Sequence, residues 1–275
     1  MIFILLTVRE QCVLYTVEKM KKHYIILKSL LFILAVSSQL TASITTRFGD
    51  GIEAIIFDCD GILVDTEYAK FLAWQEALAD ELIPFSIEEY MPAIGHSSKN
   101  ILVMIETVKN RSIPEEVIES KNAKYRILQK QGVVPIYDMI ALAKRLNEKK
   151  RVLGIKLGLA SSASREEILE NLGQIGLKNC FDVIVSGSDD LDDYVDVEGK
   201  NKPKPYIYIE AAKRLGVTPS KCLVFEDTAA GIEAASTGGM IAIAVPNRFT
   251  LQQDFSSAAG VVYFYKNLLQ EEVFE

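Results

Sequence analysis

Five short apolar runs, separated by amphipathic stretches, constrain the fold of this chain more than any other feature. Residues 54–57 (AIIF) end in Asp58, and residues 155–160 (IKLGLA) end in Ser161. Residues 181–187 (FDVIVSG) end in polar residues, residues 222–225 (CLVF) end in Glu226 and Asp227, and residues 240–246 (MIAIAVP) form the last run. Continuous apolar runs of this length suit strands buried on both faces, as in a parallel sheet. Helices are expected between them. Ser164, with Glu167 three residues on, reads as a capping-box start for residues 164–176. Pro205 can open a helix through Ala211 to Leu215, with Gly216 at its end. The βαβαβ order predicts a doubly wound, Rossmann-like α/β domain. Ligands of such domains sit beyond the carboxyl ends of the strands. Chemically capable side chains stand there after four of the five runs.

Residues 67–132 break this alternation. FLAWQEALADEL, IEEYMPAIG, KNILVMIETVKN and EEVIESKNAKYRILQKQG all read as helices, with no strand-like run among them. The expected division is a leader over 1–50, a catalytic core over 51–66 and 134–275, and an inserted helical cap over 67–133. Residues 188–200 read as a charged surface loop. In the leader, Lys19, Lys21 and Lys22 precede an apolar run, SLLFILAVSS at 29–38, followed by Thr41, Ala42 and Ser43. A basic region, a short apolar region and small residues form the pattern of a secretory signal, with Met20 as an alternative start. An incidental apolar stretch in an extended start and an uncleaved membrane tether are the alternatives. The run is short for a membrane span. A cleaved signal implies export, and its absence implies the cytoplasm.

Composition excludes some classes. The net charge of −7, without a long basic stretch, gives no nucleic-acid surface. Four scattered cysteines show no zinc or disulfide spacing, and two histidines leave little room for a histidine-based metal site. Hydrophobic residues at 49% allow a sizeable core.

The chemistry lies in four segments. In DCDGILVDTE (58–67), Asp58 and Asp60 flank Cys59 at a strand end, and Gly61 permits a sharp turn. Asp58 can attack phosphorus as a carboxylate nucleophile. Asp60 can protonate the leaving oxygen and later deprotonate water. In GLASSAS, Ser161 follows the second run, with Ser162 and Ser164 nearby as hydroxyl donors or caps. In NKPKPYIY (201–208), Lys202 offers a cation, with Lys200 and Lys204 as rivals. In FEDTAAGIEAA (225–235), Glu226 and Asp227 supply the hard oxygens that Mg²⁺ prefers.

In this order, the four segments resemble the haloacid dehalogenase superfamily, and most closely its β-phosphoglucomutase-like branch. The resemblance covers about residue 53 to the carboxyl end. It implies a Rossmann-like core, a helical cap that closes over the phosphate, and Mg²⁺ held by Asp58, the main-chain carbonyl of Asp60, Asp227 and Glu226. Ser161, Ser162 and Lys202 are then expected to hold the phosphoryl group. Lys70, Lys99 and Lys121 of the cap are expected to meet a small-molecule phosphate ester, and the family often works as a monomer. FLAWQEAL and KNAKY resemble segments of β-phosphoglucomutase. Lys70, however, stands where that enzyme usually has His, and Ser98 replaces its phosphate-binding Arg. Lys99 is not a bidentate equivalent of arginine. The expectation is therefore a phosphatase, with a sugar phosphomutase as the alternative and a non-catalytic binding module as the second. A phosphonate hydrolase would need a buried lysine of depressed pKa.

Overall fold

The computed structural model describes residues 51–263 apart from Glu198, together with the backbone of two antiparallel strands, Ile4–Val8 and Gln11–Tyr15. The apolar run at 29–38, and the signal expected there, lie outside the described residues. Among those residues, no helix is long and apolar enough to cross a membrane.

Strands β1 (Ala54–Phe57), β4 (Lys156–Ser161), β5 (Val183–Ser186), β6 (Cys222–Glu226), β7 (Ile241–Ala244) and β8 (Gly260–Val261) form one sheet, ordered β8-β7-β6-β1-β4-β5. Every pairing in it is parallel. The lack of alternation in β1 follows from its two buried faces. Ile55 and Phe57 join a core with α5 (Tyr137–Leu153) and α6 (Arg165–Gln174), whereas Ala54 and Ile56 join a core with α7 (Tyr206–Leu215) and α8 (Ala229–Thr237). Helices thus cover both faces, as the sequence predicts. The chain leaves β1 toward β4 and β5, then returns to β6 on the opposite side. That reversal opens a crevice beyond the carboxyl ends of β1, β4 and β6.

The helical stretch contains α1 (Glu67–Asp80), α2 (Ile87–Tyr90), a 3₁₀ turn (Met91–Ala93), α3 (Ser98–Lys109) and α4 (Glu116–Gln131). These elements bury their own apolar cluster, which includes Phe71, Trp74, Leu78, Phe85, Tyr90, Leu102 and Val117. Two short antiparallel strands, β2 (Val64–Asp65) and β3 (Val134–Pro135), pair where the stretch leaves and rejoins the core. Neither has a signature in the sequence, because two residues are too few for a periodicity. Strand β8 is equally short and equally without one.

Candidate active site

Three carboxylates meet beyond β1 and β6. Asp58 follows β1, and its N–H donates to the Phe225 carbonyl at 3.0 Å, so the two strand ends advance together. Carboxylate oxygens of Asp58, Glu226 and Asp227, all buried, lie within 4.8 Å of one another. Lys202 Nζ donates to Asp58 Oδ1 at 2.8 Å and to Glu226 Oε1 at 2.5 Å. Tyr208 also donates to Glu226 Oε1, while the Thr228 N–H and hydroxyl donate to Oε2. Both oxygens of Glu226 are therefore engaged, and Oε1 orients Lys202.

Asp227 differs. Asn247 Nδ2 donates to its Oδ2 at 2.8 Å, but its Oδ1 is buried with no partner. Burial, then Glu226 and Asp58, push its carboxyl well above the usual carboxylate range. Burial likewise pushes Asp58 up to about 7, with Lys202 pulling down and Glu226 and Asp60 pushing up. Burial alone lowers Lys202, and Asp58 and Glu226 more than reverse it. One lysine does not neutralise three buried carboxylates, and an oxygen without a donor is costly unless a cation meets it. The orphaned Asp227 oxygen beside Asp58 is thus a donor set that fits Mg²⁺.

The Asp60 carboxylate stands outside this trio and faces the helical stretch. Thr66 Oγ1 donates to its Oδ1 at 2.8 Å, instead of capping α1. Its Oδ2 lies 3.4 Å from both Lys70 Nζ and Ser161 Oγ. Lys70 also pairs with Glu67, whose other oxygen accepts from buried Tyr90. Burial lowers the Lys70 pKa, but Asp60 and Glu67 raise it further still. Lys70 is thus built into the site rather than lying on an exposed helix face.

The remaining candidates divide. Ser161 is buried at the end of β4, where its Oγ accepts from the Ala163 N–H, and Ser162 is exposed beside it. Of the three lysines near 200–204, only Lys202 reaches the carboxylates. Lys200 donates to the Leu191 carbonyl, and Lys204 pairs with Asp196. Lys121 is buried, with its ammonium over the Trp74 ring at 5.5 Å. Burial, then the nearby Lys70 charge, lower its pKa to about 8. Lys99 stands at the open edge of the cavity, 79% exposed and ion-paired with Glu115. A cavity of about 470 Å³ joins Asp58, Asp60, Lys70, Lys121, Ser161 and Lys202.

Several residues of this arrangement escape a reading of the sequence as site groups: Thr66, Tyr208, Asn247, Tyr125 and Glu167. Asn247 stands just after the last apolar run, the one strand end not counted as chemically equipped. Two glycines make the trio possible. Gly61 has φ +81, and a Cβ there would lie 2.1 Å from Asp227 Oδ2, while a Cβ on Gly231 would lie 1.8 Å from Glu226 Oε1. Gly61→Ala is therefore expected to destabilise by about 2 kcal/mol or more, read as a fall in Tm by calorimetry. An unchanged Tm would show that the turn can relax.

Comparison with known proteins agrees with this geometry. The family described as "Haloacid dehalogenase-like hydrolase" matches residues 55–245. Phosphorylated carbohydrates phosphatase of Thermotoga maritima is 32% identical over 196 residues, 69% of this chain and 82% of that protein. Beta-phosphoglucomutase of Bacillus subtilis is 33% identical over 203 residues, 70% of this chain and 83% of that protein. The crystal structure of beta-phosphoglucomutase from Clostridium difficile superposes with a TM-score of 0.62 at 28% identity, covering 80% of this chain and 94% of that one. The sheet order, the strand-end carboxylates and these matches agree that the chain belongs to the haloacid dehalogenase-like hydrolase family, as an enzyme of its β-phosphoglucomutase-like branch.

Proposed function

We propose that the protein is a Mg²⁺-dependent phosphatase of a small phosphomonoester, a sugar phosphate or similar, working through an aspartyl phosphate on Asp58. The observation that carries this reading is the pairing of two unlike carboxylates after β1. Asp58 is held by Lys202 in the buried trio, whereas Asp60 is held by Thr66 on the side facing the helices. An Asp58 oxygen forms a bond to phosphorus as the ester P–O bond breaks, and Asp60 gives its proton to the leaving oxygen. Water then attacks phosphorus and gives a proton to Asp60, the aspartyl–phosphorus bond breaks, and both carboxyls return to their starting state. Lys202, Ser161 and Ser162 hold the phosphoryl oxygens. Mg²⁺, held by Asp58, Asp227, the Asp60 carbonyl and the Glu226 side of the trio, would supply charge neutralisation at the phosphoryl group. Residues 67–133 act as a cap that closes over the ester, presenting Lys70 and Lys121 to it, with Lys99 at the rim.

Hydrolysis rather than phosphoryl return is supported by the start of α3, where Ser98 and the exposed Lys99 offer no buried bidentate cation for a second phosphate. The test is to incubate the protein and Mg²⁺ with a panel of phosphomonoesters, including β-glucose 1-phosphate primed with glucose 1,6-bisphosphate, and to follow inorganic phosphate and glucose 6-phosphate. Phosphate release without isomer is the expected result. Primed glucose 6-phosphate formation with little phosphate release would make the enzyme a mutase.

A further inference from the structure

Glu167 carries a sequence signal that the fold uses differently. A capping box would turn its carboxylate back onto the Ser164 N–H. Here only half of the box forms: Ser164 Oγ accepts from the Glu167 N–H, and the Glu167 side chain makes no return bond. It lines the active-site cavity instead, on the side of Lys121 and Tyr125. Lys121 and Tyr125 stand one turn apart on α4, on the same face. Both are more than nine-tenths buried. Lys121 makes no ion pair among the described residues, and Tyr125 Oη makes no well-formed hydrogen bond. The cavity wall thus holds an ammonium without an ion pair and a buried phenol, both beside the Glu167 carboxylate.

The charges select what such a wall receives. Lys70 is already shared between two carboxylates, Asp60 and Glu67, and the single Lys121 charge faces Glu167. Burial and Asp60 hold the Glu167 carboxyl above its usual range, while Lys70, Lys121 and Tyr125 oppose them. Arg126 and Lys99 also line the cavity but are exposed, so the buried part of this wall has no positive charge left over for an anionic ligand group. A hydroxyl both donates and accepts, so it can satisfy a carboxylate and a donor together.

We propose that Glu167, with Lys121 and Tyr125, is a specificity-determining residue that reads neutral hydroxyls on the leaving group, so that the substrate is a polyol phosphate without a second anion. This deepens the phosphatase reading and rests on it. Glycerol 1-phosphate and 3-phosphoglycerate share a three-carbon skeleton and differ by hydroxyl against carboxylate. Their Kd values would be measured with Mg²⁺ in Asp58→Asn, with and without Glu167→Gln, by calorimetry. Their kcat/KM values and that of p-nitrophenyl phosphate would be measured in the wild type and Glu167→Gln. Glycerol 1-phosphate should bind ~10-fold more tightly than 3-phosphoglycerate, and Glu167→Gln should shrink that ratio toward one, chiefly through KM. Tighter binding of 3-phosphoglycerate would overturn the proposal, by making Lys121 and Tyr125 an anion site. A ratio unmoved by Glu167→Gln, or an equal loss on all three esters, would overturn it too. Absence of turnover on every ester would sink the phosphatase reading alone, because the Kd ratio still decides the role of Glu167. If Glu167→Gln fails to fold, the wild-type ratio together with Tyr125→Phe decides instead, and Tyr125→Phe should weaken glycerol 1-phosphate more than 3-phosphoglycerate.

Discussion

Asp58→Asn is expected to abolish turnover, lowering kcat on the order of 10⁴-fold, while the protein folds normally. Asparagine is isosteric, so its carbonyl oxygen can still accept from Lys202 Nζ as Asp58 Oδ1 does at 2.8 Å. It cannot serve as an anionic nucleophile. Removing the charge also relieves a buried site in which Glu226 and Asp60 both push the Asp58 carboxyl upward, after burial itself. Tm should therefore hold or rise. Phosphate release gives the rate, and a thermal melt gives the fold. Rapid quench of the wild type followed by mass spectrometry should show one phosphoryl group on the peptide containing Asp58. Turnover above a tenth of the wild-type rate in a folded variant would remove Asp58 from the nucleophile's role.

Asp227→Asn should separate stability from metal response. The Asp227 carboxyl is raised by burial and by Glu226 and Asp58. A carboxyl raised on folding binds its proton more tightly in the folded chain. Its contribution to stability is therefore greatest at low pH, and it is lost as pH rises from the usual carboxylate range toward the folded value. At neutral pH the wild type without metal bears that penalty and the asparagine variant does not. The metal-free variant should be more stable by on the order of 1–2 kcal/mol, about 3–6 °C in Tm. Millimolar Mg²⁺ should raise the wild-type Tm, because a ligand at about 100 times its Kd adds about 2.7 kcal/mol. The same Mg²⁺ should leave the variant nearly unmoved, and activity should fall with it. Equal Mg²⁺ shifts in both proteins would show that the cation is held elsewhere.

The two variants probe parts of the site that differ in how legible they are. Asp58, Glu226 and Asp227 can be found from local order alone: a continuous apolar run has both faces buried, so the first polar residue beyond it must emerge at the sheet's edge. Gly61 and Gly231 can be suspected in the same way, since a carboxylate cluster needs close backbone approach. Lys202 is harder. Three lysines lie within five residues, and only the tertiary contacts send Lys200 to Leu191, Lys204 to Asp196 and Lys202 between the carboxylates.

The helical stretch shows the limit more sharply. Lys70, Lys99 and Lys121 look alike along the chain. Their states differ because α1 lies beside Asp60, α3 turns Lys99 to solvent against Glu115, and α4 buries Lys121 on Trp74. The sequence by itself determined the layered α/β core, the strand-end carboxylates and the helical nature of residues 67–132, because these follow from periodicity and from which polar residue ends each run. Only the tertiary structure decided which lysine is paired, which oxygen of Asp227 is orphaned, and that Glu167 leaves its cap to face the cavity. Those properties depend on neighbours tens to more than a hundred residues away, and on burial that no local pattern records.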